Sequence, residues 1–127
     1  MASHLELLFA GFLEGCDDVA AYAKNYMAVH FKLDYVNADG DISNYYPDFV
    51  VRLTDGRVFV LETKGLADLD VPLKMERLGQ WCADLNKCQS AVKYGFVYVD
   101  QESFEKYRPT SFKSLIDGFR EYQKPNL

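Results

Sequence analysis

The chain has 127 residues, 49% hydrophobic, 15% aromatic and 26% charged, with a formal net charge of −5. That composition excludes a disordered chain or a disulfide scaffold, no apolar run approaches the roughly 20 residues of a membrane-spanning helix, and the start lacks the features of a secretory signal. A soluble, cytoplasmic protein without a membrane partner is expected, folded as one domain over residues 1–127, and its acidity speaks against a free-standing, tight DNA binder.

Ser3 followed by Glu6 reads as a capping box, and Leu5, Leu8, Phe9 and Phe12 fall at helical spacing until Gly15. A second helix is expected next, capped by Asp17 or Asp18, with Val19, Tyr22, Ala23 and Tyr26 as its apolar face, fading before His30. From Phe31 to Val36 the pattern becomes extended, and Asn37, Ala38, Asp39 and Gly40 supply the turn of a first hairpin. The runs Tyr45 to Leu53 and Val58 to Lys64 flank Asp55-Gly56 and predict a second hairpin. Apolar residues on both of its faces place that hairpin in the middle of a sheet covered on both sides.

Asp70 is expected to cap the following helix, with Pro72 in its first turn and Met75, Leu78, Trp81, Cys82 and Leu85 as its apolar stripe. A strand over Val92 to Val99 comes next. After Pro109, the spacing of Phe112, Leu115, Ile116, Phe119 and Tyr122 predicts a terminal helix closed by Pro125. The order predicts an α/β sandwich with a mixed sheet. Cys16, Cys82 and Cys88 form no C-x-x-C pair and suggest neither disulfides nor zinc, while His4 and His30 read as structural.

The informative stretch is Pro47-Asp48 followed by Glu62-Thr63-Lys64 on the partner strand. Residues two apart on a strand project from one face, so Glu62 and Lys64 point together. A three-residue loop of Thr54, Asp55 and left-handed Gly56 pairs Leu53 with Arg57 and sets Asp48 opposite Glu62. A two-residue loop would instead set Asp48 against Thr63, on the other face. Two carboxylates about 5 Å apart repel, and a divalent cation is the natural relief. Oxygen-only ligation suits Mg²⁺, which polarises a scissile phosphate, and Lys64 can orient or help deprotonate the attacking water. The plainer reading, a strand start at Asp48 and a solvated edge at Glu62 and Lys64, is disfavoured by the apolar neighbours Phe49, Val50, Val60 and Leu61.

At these residues the sequence resembles the PD-(D/E)XK nuclease superfamily, whose restriction-endonuclease-like core runs helix, three strands, helix, strand. Within it, YYPDFVVRL, LETKG, LELLFAGFLEGCDDVAAYAKN and LKMERLGQWC are similar to the C-terminal endonuclease domain of type III restriction subunits. The resemblance implies a Mg²⁺-dependent endodeoxyribonuclease, with Mn²⁺ as a substitute, in which Asp48, Glu62 and the Thr63 carbonyl hold the metal and Lys64 serves catalysis. It also offers Glu6, on the first helix, as a further metal ligand, against its capping-box role, and Glu14 as a weaker one. It implies DNA as substrate, a helicase module in the parent polypeptide and a modification methyltransferase subunit as partners. Lys74 and Arg77, with Arg52 and Arg57 as lesser helpers, are candidates for phosphate contacts or are solvated surface charge. Trp81 reads more readily as core than as a base-stacking residue. Two rival readings are a non-catalytic docking or interaction module on the same fold, and a repair or junction nuclease of the same superfamily.

Overall fold

Leu5, Phe9 and Leu13 recur every fourth residue, and a helix is the conformation that puts all three on one buried face. In the computed structural model, which describes residues 4–25, 31–64, 69–89 and 91–123, this helix is α1, His4–Gly15. There follow β1 (Val19–Lys24), β2 (Leu33–Val36), β3 (Ile42–Tyr45), β4 (Phe49–Leu53), β5 (Val58–Lys64), α2 (Val71–Cys88), β6 (Tyr94–Asp100), α3 (Gln101–Tyr107) and α4 (Phe112–Gly118). The main sheet has the order β1-β4-β5-β6, and β2 with β3 forms a separate ribbon. β4 is antiparallel to both β1 and β5, whereas β6 runs parallel to β5 after the α2 crossover. The architecture is mixed α/β, a four-stranded mixed sheet flanked by helices, and the β4–β5 hairpin occupies its centre as the two-faced apolar pattern requires.

Strand alternation separates two cores. Phe49, Val51, Leu53, Phe59, Leu61, Val97 and Val99 pack on Leu5, Phe9 and Leu13 of α1 and on Phe104, Phe112 and Leu115 of α3 and α4. Val60 points the other way, into a cluster of Leu33, Tyr35, Tyr45, Val71, Met75 and Leu78, with Phe96 and Tyr98 at its margin. Each fully buried large apolar side chain contributes about 1.5–3 kcal/mol of transfer free energy, so the sheet is held from both sides.

The second helix expected at Val19 does not form. Val19–Lys24 is the edge strand β1, and its pairing with β4 shifts register between Val19 and Ala21. The extra residue of this bulge lets Val19 and Tyr22, three apart, both pack on the α1-side core. A strand therefore displays a helical spacing. Tyr26 and His30, along with the Ser3 end of the proposed capping box and Pro125, lie outside the described residues.

Asp18 caps a different helix. Its carboxylate accepts from the backbone N–H groups of Phe112 and Lys113 at 2.9 Å each, and its carbonyl accepts from Thr54 N–H. The first turn of α4 is thereby tied to the start of β1 across 94 residues of sequence. Asp18→Ala is expected to cost about 1–2 kcal/mol, because two helix-terminal donors lose their acceptor. A melting temperature unchanged by the substitution would show that the cap contributes nothing.

Three further differences have local causes. The first hairpin forms, with Asn37 Oδ1 accepting from Asp39 and Asp41 N–H at 3.0 Å, but Tyr45 to Leu53 is not one strand. Pro47 has no N–H to give to a ladder, and the chain leaves the ribbon at Tyr45 and enters the sheet at Phe49. Asp70 stands at the α2 N-cap without a side-chain cap bond; its carboxylate accepts from Tyr35 hydroxyl at 2.8 Å and Ala38 N–H at 3.1 Å, fastening the ribbon to α2. The terminal helix ends at Gly118, which lies against the Tyr107 ring where a Cβ has no room, so Phe119 turns back into the core and Tyr122 falls beyond the helix. The short helix α3, capped by Asp100 accepting from Ser103 N–H at 2.9 Å, was not predicted. No described helix is long and apolar enough to cross a membrane.

Candidate active site

The turn between β4 and β5 sets the register of everything that follows. Gly56 has φ +92°, Gly56 N–H donates to Leu53 carbonyl at 3.0 Å, and Leu53 N–H donates to Arg57 carbonyl at 2.8 Å. This is the three-residue loop, in which a left-handed glycine closes the hairpin. Pairing then proceeds from Arg52 with Val58 to Phe49 with Leu61, and regular pairing carried one step further would set Asp48 against Glu62.

At that step the ladder becomes irregular. Asp48 N–H donates to Leu61 carbonyl at 2.9 Å, although Leu61 already pairs with Phe49. The Asp48 carboxylate takes the place of the next ladder acceptor: Oδ2 accepts from Thr63 N–H at 2.8 Å and from Thr63 Oγ1 at 2.9 Å. Asp48 therefore meets β5 at Thr63, at the open end of the hairpin, rather than simply sharing the face of Glu62 as regular pairing implies. Among the described residues no hydrogen bond reaches its Oδ1. The backbone here is clamped by Asn25, whose N–H donates to Asp48 carbonyl at 2.7 Å and whose Nδ2 donates to Pro47 carbonyl at 2.8 Å and Phe31 carbonyl at 2.9 Å.

Glu62 is 2% exposed, two residues after Val60 on the α2 side of the sheet and beside Tyr98 of β6. Tyr45 lies between the acids and α2. Burial, then the negative charges of Glu62 and Asp48, push its phenol far above the ordinary range. Its buried hydroxyl approaches Glu62 but reaches no full hydrogen-bond geometry with any described residue. The Lys74 ammonium stands 5.6 Å from the Tyr45 ring centroid and 6.0 Å from that of Tyr35. Tyr98, half-buried, has its phenol raised to about 12, first by burial and then by Tyr122 and nearby carboxylates that include Glu62.

The Lys64 backbone continues β5 opposite Asp100, and its side chain, with the catalytic role expected of it, lies outside the described residues. Glu6 forms an ion pair with Lys24 at 3.2 Å, and the same ammonium lies 5.6 Å from the Phe49 ring centroid, on the α1 side. Among the described residues no three His, Cys, Asp or Glu side chains converge as a metal-holding group. Glu14 accepts from Tyr22 hydroxyl at 2.6 Å, two helical turns further along.

The basic candidates are dispersed. Arg77 Nε donates to Asp34 carbonyl at 3.0 Å and so holds α2 to the ribbon. Arg52 is exposed near the turn, roughly four strand residues or about 13 Å from Asp48. Arg57 pairs with Asp55 at 2.9 Å. Lys74 alone among them stands over the Tyr45 side of the acids. Trp81 packs between Phe31 and Tyr94, with centroids 5.2 and 5.8 Å away, as the core reading expects. The Cys16 and Cys82 thiols are raised by burial to about 11 and about 12, which removes them as nucleophiles near neutral pH.

Sequence reasoning missed Tyr45, Tyr98 and Asn25. Tyr45 read as another strand aromatic, and Asn25 fell in the expected second helix. Compared with family models, curated proteins and solved structures, the chain matches none.

Proposed function

We propose that this chain is a divalent-metal-dependent nuclease domain of the PD-(D/E)XK type that hydrolyses DNA phosphodiester bonds, as the cleavage module of a type III restriction enzyme. The observation that carries the reading is the burial of Glu62, 2% exposed, directly before Thr63, whose N–H and hydroxyl hold the Asp48 carboxylate at the open end of a central hairpin. Burying a carboxylate next to another is costly unless positive charge joins them. The order α1, β1, β4, β5, α2, β6, with the β2–β3 ribbon inserted, also supports a restriction-endonuclease-like core.

Two carboxylates and a backbone carbonyl are hard oxygen donors that leave coordination positions for water, which fits Mg²⁺ or Mn²⁺. Asp48 through Oδ1, Glu62 and the Thr63 carbonyl would hold the ion. When bound it supplies Lewis-acid polarisation of the scissile phosphate. Thr63, by donating twice to Asp48 Oδ2, fixes the direction of the remaining oxygen. Lys64 orients the attacking water, and Lys74 offers its charge to a phosphate arriving over α2. In-line displacement leaves a 5′-phosphate and a 3′-hydroxyl.

With a net charge of −5 the domain would draw most of its DNA affinity from elsewhere, in this reading a helicase module and a modification methyltransferase subunit. One observation favours the non-catalytic alternative: Asp48 Oδ2 already has two donors in Thr63, so part of its role is structural. Titration with Mg²⁺ or Mn²⁺ separates the two. Nuclease function predicts a rise in melting temperature, equivalent to about 2.7 kcal/mol at a hundredfold excess over Kd, with weak nicking of supercoiled plasmid that falls steeply with salt. If neither appears, the docking-module reading replaces it.

A further inference from the structure

Tyr45 is among the largest fully buried side chains, and its hydroxyl is one of two buried side-chain atoms among the described residues that lack a hydrogen-bond partner. Leaving such a donor unsatisfied costs about 1–3 kcal/mol, and phenylalanine would fill the same space between Val60, Met75 and Leu78 without that penalty. The ring packs with Val60 on the face of β5 from which Glu62, two residues on, also projects. Tyr35 packs edge-on to its ring at 6.4 Å and Lys74 lies over the ring, so the phenol has little freedom to turn away.

We propose that Tyr45 is a positioning residue for the candidate metal centre: its buried hydroxyl donates to the Glu62 carboxylate once a divalent cation occupies the site, leaving the second Glu62 oxygen aimed at the ion. The inference rests on the nuclease reading and names the residue that tunes its cation affinity. A donor on one carboxylate oxygen restricts the side chain to a single orientation. The ordering cost is then met by the fold before the cation arrives. Partners of this kind change metal affinity by about 10–100-fold when removed.

The test is calorimetric titration of the full chain with Mn²⁺ alone, comparing the unsubstituted protein with Tyr45→Phe, and with Asp48→Asn as a control for a lost ligand. Tyr45→Phe is expected to bind Mn²⁺ at least about tenfold more weakly, while its melting temperature without metal stays equal or rises, because an unsatisfied donor has been removed. Nicking of plasmid by Tyr45→Phe should recover at saturating Mn²⁺. Unchanged Mn²⁺ affinity in Tyr45→Phe, with Asp48→Asn impaired, would overturn this inference and leave the nuclease reading standing. A large fall in the metal-free melting temperature would also overturn it, by making the hydroxyl a structural element. Absence of Mn²⁺ binding to the unsubstituted chain would overturn the metal centre itself.

Discussion

Asp48→Asn is expected to abolish divalent-cation binding and to lower DNA cleavage by at least about 10²-fold, the loss typical when one preorganised electrostatic group is removed from a reacting centre. The fold should survive. Asn retains a carbonyl oxygen that can accept from Thr63 N–H and Oγ1, as Asp48 Oδ2 does at 2.8 and 2.9 Å. What is lost is the charge assistance of those bonds, about 1 kcal/mol. Asp48→Ala behaves differently, because it strips both Thr63 donors of their acceptor and costs about 1–3 kcal/mol more. Lys64→Ala completes the comparison: cleavage is lost, cation binding is retained, and stability hardly moves. Plasmid nicking, Mn²⁺ titration and thermal melting read these three quantities separately. Full activity in a folded Asp48→Asn variant would remove this residue from the chemistry.

Phe9→Ala is expected to have the largest effect on stability. Phe9 is completely buried, and its ring lies 5.5 Å from Phe12, 5.3 Å from Phe49 and 5.5 Å from Phe104. It thus joins α1, the first residue of β4 and α3 in one aromatic cluster. Truncation leaves a cavity that rigid neighbours cannot close, and such changes cost about 3–5 kcal/mol. Domains of this kind have about 5–15 kcal/mol in all. The urea midpoint should fall by a large fraction of its value. Because Phe49 follows Asp48 directly, cation affinity should weaken as well, in proportion to the disorder admitted at the start of β4. A loss below about 1 kcal/mol would mean that the cluster repacks freely, and the coupling between α1 and the acids would fall with it.

The central hairpin was legible because its signals are local. Asp55-Gly56 names the turn, the left-handed Gly56 fixes its length, and the length fixes which residues face each other from Leu53 and Arg57 outward. The pairing of Phe49 with Leu61, directly after Asp48 and directly before Glu62, is a consequence of counting. The bonds from Thr63 to Asp48 are not, since they depend on an irregularity at Leu61 that no spacing announces. The apolar stripe of α2 and the spacing within α1 were likewise readable, each being a periodicity of one element.

What was misread has a common cause. Val19 and Tyr22 carry helical spacing, yet the bulge in β1 turns that spacing into one face of a strand, and only pairing with β4 reveals it. Asp18 and Asp70 look like caps for the segments beside them. Their carboxylates serve partners 94 and 35 residues away, because the fold brings those donors beside them. Glu6 reads from the sequence as a cap or a ligand, and it forms an ion pair with Lys24, supplied by a strand that carries helical spacing.

By itself, then, the amino-acid order determined the turn, the hairpin and the placing of Asp48 and Glu62 at the same end of it, since backbone geometry within a few residues enforces them. Tertiary structure decided the surroundings of those acids: Thr63 against Asp48, the Asn25 clamp, and the buried Tyr45 hydroxyl on the α2 side of the sheet. Contacts of that sort join residues far apart in the chain, and their energies depend on burial and direction, which exist only once both sides of the sheet have closed.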